Sequence, residues 1–229
     1  YTFHMEKIDK EFIFGKINEN SDEYDVLKFA FHDIENAKIP SFIKRIYKSA
    51  FAECNKLECI EFKNDSNLIS IDKYAFFHSS LKKIVIPAST VLIGEKAFYQ
   101  CKNLCLIEFM PNSNLETIEN DAFNDTKIEK IQLPEKVHSL KKGWCNGMKQ
   151  LKYISVSTNN KYFSCNDNKS LFGKSDVNSD CFDVILFVCR DISEFIIPSF
   201  IKKIDSFCFA DCIKLESIDF QKKSNLDII

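Results

Sequence analysis

The sequence predicts an α/β repeat solenoid, in which short parallel strands alternate with helical turns. Three observations support this prediction. One apolar pattern recurs along the chain, most clearly over residues 39–62, 86–109 and 197–220. The spacing of its apolar residues changes within each copy, from a helical period to a strand period. No copy is long enough to bury its own apolar face, so the copies must stack to form a continuous core.

Each copy contains two kinds of spacing. Over residues 97–104 the apolar residues recur every three or four positions, which predicts a tight helical turn. Over residues 104–109 the spacing falls to two, which is the period of a strand. Pro87 ends the preceding strand because proline has no backbone N–H. Val91 and Ile93 then provide a short second strand before the next turn.

One aromatic position sets the length of the repeat. It is occupied in turn by Phe51, Phe76, Phe98, Phe123, Trp144 and Phe209, which lie 21 to 25 residues apart except for a final step of 65. Pro40, Pro87 and Pro134 lie 47 residues apart, so long and short copies alternate. A period in the low twenties is typical of leucine-rich repeats, at roughly 20–29 residues, and is too short for two-helix repeats. We therefore predict a leucine-rich-repeat-like array with a parallel sheet.

The fifth copy departs from this pattern at its turn. Where the third copy has Ala97-Phe98-x-x-Cys101, the fifth has Gly143-Trp144-x-x-Gly147. We interpret this change as volume compensation within one buried layer, because cores tolerate changes that conserve volume. The competing interpretation is a simple loop, in which glycine is common.

A longer repeat contains the shorter one. Residues 11–71 align without gaps to residues 169–229, with about half of the positions identical. We expect one solenoid over residues 1–229, as a piece of a longer array, with repeat units at about 39–156 and 197–229 and β-hairpins at about 11–31 and 169–189. The hairpins are either spacers within the stack, which their apolar strands favour, or projecting recognition loops.

The repeated pattern resembles a known family. The series Ile-Pro-x-x-Ile-x-x-Ile-x-x-x-Ala-Phe-x-x-Cys-x-x-Leu-x-x-Ile-x-Phe is similar to the BspA-like leucine-rich repeat, and it covers nearly the whole chain. The chain departs from it where Cys208 replaces Ala and where residues 78–80 and 124–126 replace the Cys region. The resemblance implies a right-handed solenoid with one parallel sheet, a cell-surface location, and adhesion to host cells, matrix proteins or other microbes.

Alternate strand positions should face outward and form a partner-binding face. Its candidate residues are Glu61, Lys83, Val85, Leu106, Glu108, Lys130, Gln132, Tyr153 and Asp219. The competing interpretation is a solvated face with cross-strand pairs such as Glu61–Lys83 and Glu108–Lys130. Solenoids present large surfaces, so a protein or other macromolecular ligand is favoured over a small molecule.

The ten cysteines do not predict a metal site, because the chain has no Cys-x-x-Cys and no nearby histidine set. Cys54, Cys101 and Cys212 share one core position, where a free thiol packs as a small apolar residue. A disulfide between Cys181 and Cys189 is the alternative for that pair. Unpaired core thiols suit a reducing compartment, which favours an intracellular, cytoplasmic scaffold as the alternative to a surface protein.

No catalytic, cofactor-binding or metal-binding constellation is recognisable. The four histidines are scattered, and the five glycines form no phosphate-binding loop. A net charge of −2 gives no basic field for nucleic acid, and no apolar run approaches the roughly 18–20 residues of a membrane helix. We therefore predict a protein that is not an enzyme, needs no cofactor, inserts no part of this segment into a membrane, and recognises other proteins.

Overall fold

A computed structural model describes residues 7–20 and 22–227, which form strands and turns without a helix. The strands of this described part are β1 (Lys7–Ile8), β2 (Phe12–Gly15), β3 (Val26–Ala30), β4 (Asn36–Ile39), β5 (Arg45–Ile46), β6 (Cys59–Phe62), β7 (Ser70–Ile71), β8 (Lys83–Ile86), β9 (Leu92–Ile93), β10 (Leu106–Phe109), β11 (Thr117–Ile118), β12 (Lys130–Leu133), β13 (Ser139–Leu140), β14 (Tyr153–Val156), β15 (Ser170–Gly173), β16 (Val184–Val188), β17 (Glu194–Ile197), β18 (Lys203–Ile204) and β19 (Ser217–Phe220).

Each copy of the repeat contributes one four-residue strand and one two-residue strand to two separate ladders. The four-residue strands β4, β6, β8 and β10 form one parallel sheet, and β12 pairs with β14 in the same sense. The two-residue strands β5, β7, β9, β11 and β13 form a second parallel ladder. The fold is therefore a β-solenoid of stacked parallel coils, leucine-rich-repeat-like as the sequence predicts. Whether residues 1–229 form one array stays a prediction, and residues 1–6, 21 and 228–229 lie outside the described part.

The predicted α/β class is wrong in its helical part, because the described residues contain strands and no helix. The expected helical turns are instead segments that divide their hydrogen bonds between two coils. In the third copy, the N–H of Ala97 bonds to Gly94 of its own coil at 3.1 Å, but the N–H of Phe98 bonds to Ala122 of the next coil at 2.8 Å. A helix would keep all of these bonds within one segment. Left-handed residues at Lys96 and Gln100, with φ of 54° and 58°, interrupt the helical path every four residues.

A column of stacked aromatic rings fills the core beside these turns. Phe51, Phe76, Phe98 and Phe123 are fully buried, and their successive ring centroids lie 5.0, 5.0 and 5.5 Å apart. The rings are near parallel because each coil repeats the backbone of its neighbour. The aromatic position of the sequence pattern is therefore the axis of the core in these four coils.

The fifth coil stacks on the fourth through the same backbone hydrogen bonds, but its residues are shifted by one position in the pattern. The carbonyl of Trp144 accepts from the N–H of Phe123, as the carbonyl of Ala122 accepts from Phe98, so Trp144 occupies the alanine position and Cys145 the aromatic one. Gly143 and Gly147 hold the two left-handed positions, with φ of 69° and 68°. The proposed Gly-Trp-Gly buried layer is wrong. The large side chain, Trp144, stands at the alanine position and the small one, Cys145, at the aromatic position. Both glycines serve to adopt the left-handed backbone conformation.

Both segments expected to form hairpins consist of antiparallel strand pairs, β2–β3 and β15–β16. Their second strands also join the coil ladder in parallel, with β3 beside β5 and β16 beside β18. The strands of the second hairpin are almost wholly buried. The hairpins therefore continue the stack, which agrees with the spacer interpretation.

Candidate partner-binding face

The outward residues of the four-residue strands form two rows that cross the strands. Strand pairing in register places Lys83 beside Leu106, Val85 beside Glu108, Lys130 beside Tyr153, and Gln132 beside Ser155. Within β8, β10 and β12 the second residue of each strand is buried and the third is exposed, so one face looks into the core and the other into solvent. This is the alternation predicted from the sequence.

The ion pairs expected across this face are wrong. Parallel pairing in register places Glu61 beside Lys38, and their charged atoms lie 3.6 Å apart. Lys83 lies in the other row, beside Cys59, so it is diagonal to Glu61 rather than opposite it. Neither Lys83, Glu108 nor Lys130 has an ion-pair partner within 4.0 Å among the described residues. These three charges remain available to a partner.

The sheet opens between β10 and β12. No backbone hydrogen bond of the described chain joins these neighbouring strands, and the equivalent step from β6 to β8 is bonded only at Cys59 and Lys83. Both steps lead from a long copy to a short one. After β10 the chain takes six positions from Phe109 to the buried Leu115, and after β12 it takes four from Leu133 to the buried Val137. The longer loop after β10 therefore follows a different course from the loop after β12.

A groove of about 930 Å³ lies at this opening. Strand residues form its floor, and two loops, residues 110–113 and 134–136, form its end. Its charged lining residues are Glu108, Lys130, Glu135 and Lys136, and its apolar surface includes Val85, Phe109 and Met110. Mixed charge around exposed apolar surface suits a protein segment, because interfaces combine an apolar centre with a polar rim.

Tyr153 lies at one side of the groove and is its largest exposed ring, with 56% of the residue accessible. The ammonium of Lys169 lies 4.9 Å from the ring centroid, and Asp191 holds that ammonium at 2.8 Å. The ring therefore has one held cation contact, while more than half of the residue stays accessible. Exposed tyrosine that is held in place is frequent at the centre of binding sites.

The structure brings most of the predicted face together. Val85, Glu108, Lys130, Gln132 and Tyr153 line the groove, and Glu61, Lys83 and Leu106 lie on neighbouring strands of the same face. Asp219 lies apart, because β19 pairs with β17 in a separate sheet. Sequence reasoning missed Met110 and Pro111, which belong to the loop after β10. The longer spacing between Phe109 and Leu115 was the available signal.

The cysteines offer no competing site for metal or disulfide chemistry. All ten are free thiols, including Cys181 and Cys189, so the alternative disulfide is absent. Burial raises the pKa of the Cys54 thiol to about 11 and that of Cys101 to about 12, so both remain protonated at neutral pH. The described residues include no group of three or more histidine, cysteine or acidic side chains that could hold a metal ion.

Comparison with known proteins identifies the family. The profile of the BspA type leucine rich repeat region matches in six copies over residues 24–152 and 175–229. The chain belongs to this family. The pneumococcal vaccine antigen PcpA has a similar structure, with a TM-score of 0.76 and 26% sequence identity over 89% of this chain. The chain spans about half of PcpA, covering 48% of its length.

A leucine rich cell surface protein from Faecalibacterium prausnitzii shares the fold, with a TM-score of 0.60, 16% identity, and coverage of 96% of this chain and 77% of the other. No curated protein matches the chain. Within residues 7–20 and 22–227, no helix is long and apolar enough to span a bilayer. The family and these two structures establish a repeat protein of the leucine-rich class.

Proposed function

We propose that this repeat protein is a non-catalytic recognition module that binds another protein through the strand face around the β10–β12 groove. The groove carries this proposal, because it combines two charges without an ion-pair partner in the described chain, Glu108 and Lys130, with an accessible tyrosine ring and exposed apolar surface. Affinity in such interfaces depends on a few buried anchors. We assign the anchor role to Tyr153 and the charge recognition to Glu108 and Lys130.

Membership of the leucine-rich repeat family supports the proposal, because solenoids of this kind present extended surfaces to macromolecules. We further propose that the protein acts at the cell surface, in adhesion. The similarity to a pneumococcal vaccine antigen supports that location.

The test of the face uses paired substitutions. A displayed library of protein domains is selected on the wild-type chain, and each selected binder is measured against Tyr153→Ala and Lys130→Glu. We expect losses of roughly tenfold or more, the size typical of interface anchors. Tyr162→Ala and Lys149→Glu are matched controls, because both residues are exposed and lie outside the groove. Equal affinities for all four folded variants would reject the face.

A second candidate is an intracellular scaffold that uses the same face. The ten free cysteines favour it, since oxidising compartments usually pair such thiols. Brief external protease treatment of intact cells separates the two locations. Loss of the array while the membrane stays sealed would support the surface protein. Protection equal to that of cytosolic controls would support the scaffold.

A further inference from the structure

The strand β17 has a sheet partner on one side only. It pairs in parallel with β19, and the two strands form a sheet of their own. On its other side the described chain places no strand, and no Cα atom of β14, the preceding four-residue strand, lies within 8 Å of β17. Successive four-residue strands from β4 to β14 all approach more closely than this. One side of β17 is therefore a free strand edge within the stack.

The free edge presents the main-chain groups of two residues. In a parallel ladder, alternate residues direct their N–H and C=O groups to one neighbour, and the remaining residues direct theirs to the other side. The carbonyl of Ile197 accepts from the N–H of Gln221 at 3.0 Å, so Phe195 and Ile197 serve β19. Glu194 and Ile196 therefore face the free side, where the described chain gives them no backbone partner.

The first copy of the long repeat carries a lysine at the equivalent edge. At the offset of 158 residues, Lys38 of β4 corresponds to Ile196, and its ammonium lies 3.6 Å from the carboxylate of Glu61 on the next strand. A lysine on an edge strand protects it from pairing with another chain. In β17 this lysine is replaced, and 59% of Ile196 is exposed. The second edge therefore lacks the protection of the first.

The same replacement leaves negative charge without a cation. Asp219 lies beside Ile196 in the ladder, at the position where Glu61 of the first copy has its lysine. Glu194 adds a second exposed carboxylate to the edge. Neither Glu194 nor Asp219 has an ion-pair partner within 4.0 Å among the described residues. The edge therefore combines free main-chain groups, an exposed apolar side chain and two unpaired carboxylates.

We propose that β17 is a strand-addition site for an extended polypeptide segment in which basic and apolar residues alternate. Main-chain hydrogen bonds to Glu194 and Ile196 hold the segment, as in other complexes formed by strand addition. Its basic side chains lie on the outward face with Glu194 and Asp219, and its apolar side chains lie on the opposite face with the half-buried Phe195. This site is separate from the β10–β12 groove and does not depend on it.

The charge of the edge disfavours a second copy of the chain as the occupant. Two β17 edges that paired with each other would bring the carboxylates of both copies together, and like charges on neighbouring strands are destabilising. A basic segment instead supplies the positive charge that Lys38 provides in the first copy. The charge therefore selects a partner segment over self-association.

The first experiment uses an acetylated peptide of alternating lysine and valine. The peptide is titrated into the isotopically labelled chain, and the amide resonances are followed by NMR. We expect saturable shift changes centred on Glu194 and Ile196. A peptide that is N-methylated at every internal residue keeps the charges but loses the main-chain donors, and a glutamate–valine peptide reverses the charge. We expect both to bind roughly tenfold more weakly or worse, which corresponds to about 1.4 kcal/mol.

Substitutions at Ile196 test the same edge from the side of the protein. Ile196→Lys introduces the residue of the first copy, and we expect the dissociation constant to rise roughly tenfold, because the new charge repels the basic peptide. Ile196→Pro removes only the N–H that faces the free side, where proline is tolerated, and should also weaken binding. Val85→Lys is the matched control, since Val85 is an exposed apolar residue of β8 in the groove, and should leave the affinity unchanged.

Three results would overturn the proposal. The first is the absence of saturable changes at residues 194–197, or changes centred on the groove instead. The second is equal affinity of the N-methylated peptide, or of the folded Ile196→Lys variant. The third is a concentration-dependent change at residues 194–197 without peptide, which would identify a second copy of the chain as the occupant. The peptide comparison stands even if Ile196→Pro does not fold.

Discussion

The two copies of the hairpin share one backbone but differ in how they satisfy the same buried carboxylate. Asp25 accepts from the N–H of Ile17 at 2.9 Å and pairs with Lys44 at 3.4 Å. Its counterpart Asp183 accepts from both the N–H and the hydroxyl of Ser175, at 2.8 and 2.7 Å. Asp183 also forms an ion pair with Lys202, at 3.0 Å. The apolar pattern preserves the fold, while single polar changes set the local energetics.

The same comparison applies to the register of the hairpins. Both contain an irregularity at equivalent positions, between Ile13 and Phe14 and between Leu171 and Phe172. An irregularity present in both copies is a consequence of the shared sequence pattern. Differences between the copies therefore arise from substituted side chains and from which coils cover them.

The largest expected difference concerns the aromatic position. Phe51→Ala should lower the free energy of unfolding by about 3–5 kcal/mol, because the ring is fully buried against Phe12 and Phe76. Phe209→Ala should cost roughly 1–2 kcal/mol, since its equivalent ring is partly exposed and packs against Phe195. Urea unfolding of both variants measures the difference. Equal losses would show that the second copy is as well packed as the first.

The carboxylates give the next difference. Asp183→Asn should lower the free energy of unfolding by about 1–3 kcal/mol, because Ser175 and Lys202 lose a charged acceptor. Asp25→Asn should cost less, since its side chain accepts one backbone bond from Ile17 and is more exposed. Thermal unfolding of the two variants at pH 7 is the measurement. A larger loss for Asp25→Asn would contradict the comparison.

The pH dependence sharpens this second prediction. Burial alone would raise the pKa of Asp183, but the bonds from Ser175 and Lys202 outweigh it and lower the pKa from 3.8 to about 2. A lowered pKa contributes stability above the unfolded value, and this contribution is lost as the pH falls from about 4 to about 2. We expect a loss of about 2 kcal/mol in this window for the wild-type chain and a smaller loss for Asp183→Asn. Identical acid profiles would contradict the assignment.

The smallest difference concerns the left-handed turn positions. Glu53 and Asp211 are equivalent residues with φ of 58° and 59°. Glu53→Gly should stabilise the chain by up to about 1 kcal/mol, since glycine relieves the left-handed strain at some cost in chain entropy. Asp211→Gly should gain less, because Asp211 accepts from the N–H of Gly147 at 3.2 Å. The urea midpoints of the two variants measure both gains, and a larger rise for Asp211→Gly than for Glu53→Gly would contradict the prediction.

The strands and the core could be predicted from the sequence because both follow apolar periodicity. The helical turns could not be excluded, since successive tight turns also place apolar residues every three or four positions. Ordinary residues such as Lys96 and Gln100 adopt the left-handed conformation there, so composition does not reveal it. Gly143 and Gly147, four apart, were the visible signal.

The outward face was predictable because strands alternate, but the groove was not. It depends on whether neighbouring strands form hydrogen bonds, which follows from the path of the loop after Phe109. The alternation of long and short copies was visible in the proline spacing. Its effect on pairing between β10 and β12 required three-dimensional information.

The central claim, that a protein partner binds at the β10–β12 groove, is tested most directly by hydrogen–deuterium exchange with a selected binder. The amides of β12 that face β10 lack a backbone partner within the described chain, so they should exchange fast when free. The account predicts that the binder slows exchange at residues 130–133 and in the loop at 110–113, and leaves β7, β9 and β11 unchanged. Protection on the two-residue strands with an unchanged groove would contradict it.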